Sequence, residues 1–160
     1  MLVTAIAVAQ QPAKQGKQPA APKTYVSASD VTAMMAKAKN ERKQDQANFI
    51  QSLLNLAPYS ANLEYRNGTV AQPAAVHETE AEMFYVIDGS GTLVTGGKLT
   101  SETRTNAANL SGTGIEGGNT QNVAKGDFFI VPENTPHWFS KINGTLVLMS
   151  LHVPRPVPAK

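Results

Sequence analysis

His77-Glu78-Thr79-Glu80-Ala81-Glu82-Met83-Phe84-Tyr85-Val86-Ile87-Asp88-Gly89 places an imidazole at the end of one apolar run and a carboxylate at the opening of the next. Four residues separate His77 from Glu82, so a tight turn can bring both side chains to one face of adjoining strands. A second stretch, Gly126-Asp127-Phe128-Phe129-Ile130-Val131-Pro132-Glu133-Asn134-Thr135-Pro136-His137, has a strongly apolar strand punctuated by Gly and Pro. Its turn delivers His137 onto the strand that follows. Two imidazoles and one carboxylate suit Fe(II), Mn(II), Zn(II) or Ni(II), and three protein ligands leave open positions on a six-coordinate ion.

Outward from these stretches, the chain after Asn48 consists of short β-type runs separated by turn residues, the pattern of an all-β sandwich or barrel. The expected strands are 49–56, 60–66, 74–77, 83–87, 91–94, 121–123, 128–131, 137–142 and 145–153. Asn67-Gly68 and Asn143-Gly144 carry the chemistry of type I′ hairpin turns. Both also open Asn-Gly-Thr glycosylation sequons, and Asn109-Leu110-Ser111 is a third, but so short a pattern carries little weight. Residues 99–120 are rich in Thr, Asn, Ser and Gly and read as a long polar connection. Within it, Gly112-Thr113-Gly114-Ile115-Glu116-Gly117 matches the letters of a dinucleotide-binding fingerprint. That match is rejected, because no buried strand precedes it and no helix follows to present its N-terminus to a pyrophosphate.

Ahead of the β region, Ser29 or Asp30 is placed to cap a short helix bearing Val31, Met34 and Met35 and ending near Asn40. Its weak apolar face favours packing on the outside of a sheet over lying on a membrane. Residues 10–24 have linker composition. Residues 1–9, MLVTAIAVA, end in the small-x-small form of a signal-peptidase site, though no basic segment precedes them. The expected location is periplasmic or secreted if they are a signal remnant, and cytoplasmic if they are a plain apolar N-terminus. The division is therefore 1–24 as signal remnant and linker, 25–47 as N-terminal helix, and 48–160 as a β-barrel domain.

Bulk composition excludes several classes of function. The 160 residues hold 41% apolar side chains and no cysteine, which suits one domain with a real core and rules out disulfides and thiolate ligands. Seven basic residues against two acidic precede position 44, a net of +5, while the remainder holds seven against ten, a net of −3. The candidate domain thus has no basic face for nucleic acid. No stretch has the apolar length of a membrane span.

The two quoted stretches resemble the paired motifs of the cupin superfamily. The first motif there reads G-x5-H-x-H-x3,4-E-x6-G, and His77, Glu82 and Gly89 fall on its second His, its Glu and its closing Gly. The second reads G-x5-P-x-G-x2-H-x3-N, matched in order by Gly126, Pro132 and His137. The resemblance runs from about Gly68 to Lys141. It implies a double-stranded β-helix, the cupin jelly roll, with a short N-terminal helix and a divalent first-row metal (Fe, Mn, Zn or Ni) in the barrel mouth on His77, Glu82 and His137. It departs from the family at Ala75, where the first histidine would stand, at Asn134 in place of a glycine, and at Lys141 in place of the final Asn. Glu78, Glu80 or His152 is available to fill the vacated position. Alternatively, His77 reads as the first histidine with Thr79 replacing the second, but Glu82 then comes too early.

Each residue also has a plainer reading. A single histidine in a β protein is most often a surface or hydrogen-bonded core residue, and Glu78 and Glu80 beside a turn read first as solvated charges. Glu78 stays a candidate base or supplementary ligand, and His152 a candidate pocket residue. Strand alternation puts Phe84 with Glu82 and Phe139 with His137, which makes both rings candidate pocket walls. Trp138 and Tyr85 then face a second layer or a partner subunit, and a homodimer is expected. The expected function is metal-dependent chemistry of dioxygenase or isomerase/lyase type on a small oxygen-bearing molecule; the alternative is a non-catalytic ligand-binding or sensor protein.

Overall fold

The computed structural model describes residues 21–155. The N-terminal stretch read as a signal remnant, and most of the linker, lie outside the described residues. Among the described residues, helix α1 (Ala28–Glu41) is followed by eleven strands. Its N-cap is Ser27 rather than Ser29 or Asp30, and Asp30 instead closes a reciprocal capping box onto the Ser27 backbone N–H. Val31, Met34 and Met35 pack on Leu53, Leu63 and Val147, so the helix covers the outer face of a sheet. Among the described residues no helix is long and apolar enough to cross a membrane.

The strands are β1 (Asn48–Leu56), β2 (Tyr59–Asn67), β3 (Ala74–His77), β4 (Glu80–Thr95), β5 (Lys98–Thr100), β6 (Thr103–Arg104), β7 (Asn109–Gly112), β8 (Gly114–Glu116), β9 (Asn119–Ala124), β10 (Phe128–Val131) and β11 (His137–Pro154). All pairings are antiparallel. Two pairs of expected strands merge into single long ones. Strand β4 pairs β10 along its first half and β9 along its second, while β11 runs beside it throughout. Register shifts along β4–β11 bend the pair so that the same two strands serve both sheets of the jelly roll.

The bend explains the Gly89 and Asn143-Gly144 signals. Gly89 has φ +85°, and a Cβ there would collide with the Thr145 carbonyl. Gly144 has φ +75° but sits within a β11 bulge between Ile142 and Leu146, so it makes no hairpin. Asn67-Gly68 makes none either, because β2 pairs β1 and β11, and the chain after Gly68 leaves for β3. The fully sealed plug of the barrel contains Phe84, Val86, Val131, Phe139, Leu146 and Leu148.

Residues 99–120 are a correction to the sequence reading. They form β5 to β8, and Leu99, Leu110 and Ile115 pack with Val76 and Trp138 as a small outer layer. Three apolar residues spaced through a polar stretch are too sparse to register as periodicity, yet each finds a partner on β3 or β11. The rejected dinucleotide match lies on β7 and β8 and has no helix after it.

Candidate metal centre

Four side chains come to the mouth of the barrel from three strands. His77 ends β3, Glu82 lies near the start of β4, and His137 and His152 stand near the two ends of β11. Register brings His152 directly across from Glu82, and His137 across from Ala75. The turn before β11 is held where it must be. Asn134 takes φ +55° and its backbone N–H donates to the His77 carbonyl at 2.7 Å, while the Pro136 carbonyl accepts from Gly96 N–H at 2.8 Å.

The three imidazoles point one nitrogen each at the same carboxylate. His77 Nε2 and His137 Nε2 each lie 3.2 Å from Glu82 Oε2, and His152 Nε2 lies 3.4 Å from Glu82 Oε1. Ligand atoms of His77, Glu82 and His152 all fall within 4.8 Å of one another, while His137 meets Glu82 from outside that group of three. These are the chain's three histidines. The opposite ring nitrogens are also engaged. His77 Nδ1 meets Asn109 Oδ1 at 2.8 Å, His152 Nδ1 meets Glu80 Oε1 at 2.8 Å, and His137 Nδ1 meets the Thr135 carbonyl at 3.3 Å. Each of these partners is an acceptor, so a ring that donates to it from Nδ1 would turn its Nε2 lone pair toward Glu82.

That arrangement calls for a cation. Three lone pairs directed at one buried carboxylate repel it unless positive charge lies between them, and 3.2 to 3.4 Å suits neighbouring ligands about one ion. With bonds of about 2.0–2.1 Å, ligands at right angles stand roughly 3 Å apart. Protons are the alternative positive charge. Burial pushes the Glu82 carboxyl up, but hydrogen bonds from His137 and His77 outweigh it and hold the group well below the ordinary carboxylate range. Burial likewise pulls His77 down, yet its hydrogen bonds to Glu82 and Asn109, with the charges of Glu82 and Glu80, leave it raised above 6.5.

The histidines and Glu82 line a cavity of about 290 Å³, whose remaining wall includes Asn48, Asn62, Glu64 and Arg66 from β1 and β2. A larger cavity of about 380 Å³ beside Gly68, Thr69 and Lys141 includes none of the histidines.

The family profile described as Cupin matches residues 36–154. The chain belongs to the cupin family. No curated protein sequence matches it. Among solved structures, the Fe(II) form of HppE is similar at 15% identity and TM-score 0.50, over 67% of this chain and 51% of that one. This cupin therefore spans about half the length of HppE. KdgF from Halomonas sp. is similar at 14% identity and TM-score 0.51, over 72% and 86% of the two chains. The BH2720 protein of Bacillus halodurans is similar at 16% identity and TM-score 0.52, over 87% of each. At such identities the likeness is one of fold.

Within this cupin, His77, Glu82 and His137 come together, and His152 joins them from the far end of β11. His152 thus sits among the candidate ligands, beyond the pocket-wall position expected of it. Phe84 and Phe139 do share faces with Glu82 and His137, but neither lines the cavity; both are sealed in the plug below, with ring centroids 5.7 Å apart. Phe139 instead borders the larger cavity beside Gly68 and Lys141. Glu78 turns away and is gripped by Arg104 through two bonds of 2.7 and 3.0 Å, which occupies it as a base or ligand. Trp138 faces the outer layer around Val76 and donates to the Gln72 carbonyl, whereas Tyr85 is exposed on a different surface. Sequence reasoning missed Asn109, Glu64 and Arg66. Asn109 stood out only as a sequon, and nothing local announces a contact to a histidine 32 residues away.

Proposed function

We propose that this cupin binds one divalent first-row metal through His77, Glu82, His137 and His152 and uses it on a small oxygen-bearing molecule. The observation that carries the reading is the convergence of three Nε2 atoms on one carboxylate, with every Nδ1 tied to an acceptor. Four protein ligands leave two positions on a six-coordinate ion, enough for a bidentate oxygen ligand. A bound metal would act there as a Lewis acid, polarising the coordinated oxygen. Oxidative cleavage and isomerase or lyase chemistry are both compatible with that set. The chain's own contribution is to hold the rings in one tautomer, keep Glu82 ionised and enclose the ligand between β1, β2 and β11.

Position 75 gave the main reason to favour a non-catalytic binder, since a histidine is missing there. His152 supplies a third imidazole to the same cavity, and that support lapses. A homodimer belongs to the reading as well. Phe128, Ile130 and Tyr85 are 62%, 55% and 41% exposed on the paired strands β10 and β4, an apolar patch suited to a partner copy.

Protein purified without chelators and analysed for metals tests the central claim. About one equivalent of Fe, Mn, Zn or Ni, lost in His137→Ala and in His152→Ala, is expected. A folded protein that holds no metal and takes none up on incubation refutes the reading.

A further inference from the structure

The polar wall on β1 and β2 presents acceptors to the cavity, among them Asn48 Oδ1, buried without a hydrogen-bond partner, and a carboxylate bound on one side only. Alternation along β2 sends Ala61, Leu63 and Tyr65 toward the helix layer and Asn62, Glu64 and Arg66 into the cavity. Glu64 is buried, with 4% of its surface exposed. Three donors crowd one of its oxygens: Arg66 Nη2 at 2.6 Å, Arg66 Nε at 2.8 Å and Asn48 Nδ2 at 3.0 Å all approach Oε2. Oε1 has no partner among the described residues. Arg66 is committed too, since its Nη1 donates to Gln72 Oε1 at 3.3 Å and its guanidinium lies 4.8 Å over the Phe139 ring.

We infer that Glu64 is a substrate-recognition residue whose Oε1 accepts a hydrogen bond from a hydroxyl of the ligand, making this a site for small hydroxylated, non-phosphorylated molecules. The inference rests on the proposed metal site for the other end of the ligand. Its own support is the wall. A carboxylate so thoroughly held on one oxygen is fixed in place by its neighbours, and its other oxygen is left as an acceptor. Arg66 is the cation of that wall, and three of its N–H groups already point at Glu64 and Gln72 while one face lies over Phe139, which leaves it little to offer a phosphate or a second carboxylate. The Glu64–Arg66 pair also cancels its own charge, so anions gain attraction from the metal alone. Size points the same way: 290 Å³ is the space of about ten waters, hence of a ligand with about ten non-hydrogen atoms. Arg66 and Asn48 act as positioning residues, holding Oε2 so that Oε1 faces inward.

The test uses the full chain loaded with Co(II), whose visible spectrum reports the metal site, and calorimetric titration with three probes. D-ribose offers hydroxyl donors at the expected size, ribose 5-phosphate adds the excluded group, and glutarate offers chelating oxygens without a hydroxyl. Ribose is expected to bind about tenfold or more tightly than either of the others. Glu64→Gln keeps the shape, but its oxygen turns to Arg66 and its NH2 to the cavity, replacing an acceptor by a donor. Ribose affinity is expected to fall about tenfold or more with cobalt stoichiometry and spectrum unchanged. Should that variant fail to fold, Glu64→Leu with Arg66→Leu removes the acceptor while replacing the ion pair by apolar groups, a change such pairs tolerate, and the same loss is expected. Ribose binding undiminished in the folded variant, phosphate or glutarate binding as tightly as ribose, or no binding by any probe overturns the inference. Failure of the wild type to take up cobalt strikes the metal reading instead, and ribose titrations of metal-free wild type and variant then decide the role of Glu64 alone.

Discussion

The lumen of this barrel has two ends that share strands but obey different physics. At one end β4 and β11 contribute Phe84, Val86, Phe139, Leu146 and Leu148, buried together as an apolar cluster. At the other the same two strands contribute Glu82, His137 and His152, buried among lone pairs and charges. Phe84 stands two residues from Glu82, and Phe139 two from His137. The apolar end supplies stability through burial and dispersion, and it fixes the backbone from which the polar end is presented. The polar end must pair charges and lone pairs that burial has stripped of water, and that pairing needs the fixed geometry a rigid plug provides.

The sharpest way to break this division is to hollow the plug. Phe84→Ala removes a fully buried ring that touches both Phe129 and Phe139, and unfolding in denaturant is expected to show a loss of about 3–5 kcal/mol. At the polar end the expectation reverses. Glu82→Gln should lower metal affinity by more than about 100-fold, since the one anionic ligand goes, while the metal-free protein at pH 8 stays folded and loses less stability than Phe84→Ala does. Should Glu82→Gln unfold the protein, or Phe84→Ala leave stability intact, the two ends do not divide labour as argued.

The plug and the mouth were also unequally legible in the sequence. Apolar runs such as Phe128–Val131 and Ala74–His77 carried their own strand boundaries, and the structure keeps both to the residue. His77, Glu82 and His137 were readable because each stands at a strand terminus marked by turn chemistry. His152 was readable only as a pocket candidate or a substitute for the missing histidine, because it lies inside an apolar strand and meets Glu82 only through register. Glu64 and Arg66 were hidden for a different reason. On a half-buried strand, polar residues at every second position read as the solvent face, but on β2 the apolar positions face α1 and the polar ones face the lumen. Alternation identifies two faces without saying which one is inside.

Acid should sharpen the contrast, because only the polar end titrates. Without metal, His77 has its pKa raised above 6.5, so its proton stabilises the fold fully below the unfolded value and ceases to do so as pH rises through the folded one. Glu82, lowered from 4.5, stabilises above that value and stops as pH falls through its depressed folded pKa. Metal and proton compete for the same Nε2 atoms. The rise in melting temperature on adding metal is therefore expected to be small at pH 6 and to grow through pH 8, with one or more protons released per metal bound. A metal-induced shift that is flat across this range would mean that the imidazoles are not ligands.

The smallest effects are expected one layer out, where the mouth is held by residues that never reach the cavity. Asn109 accepts from His77 Nδ1, and removing such a partner costs about 10–100-fold in metal affinity, so Asn109→Ala should fall in that range with the fold intact. Arg104 lies a step further away. It grips Glu78 and the carbonyls of Asn106 and Ala107, and Glu78 N–H donates to the Ala108 carbonyl, so the segment leading to Asn109 is tied to the residue after His77. The pair is exposed to solvent and salt screens it, which limits what it adds to stability. Arg104→Ala should weaken metal binding by less than about tenfold, below the second-layer range, and the deficit should vanish in an Asn109→Ala background because both changes act through one hydrogen bond. Additive losses in the double variant would show that the Arg104 clamp reaches the metal by a route other than Asn109.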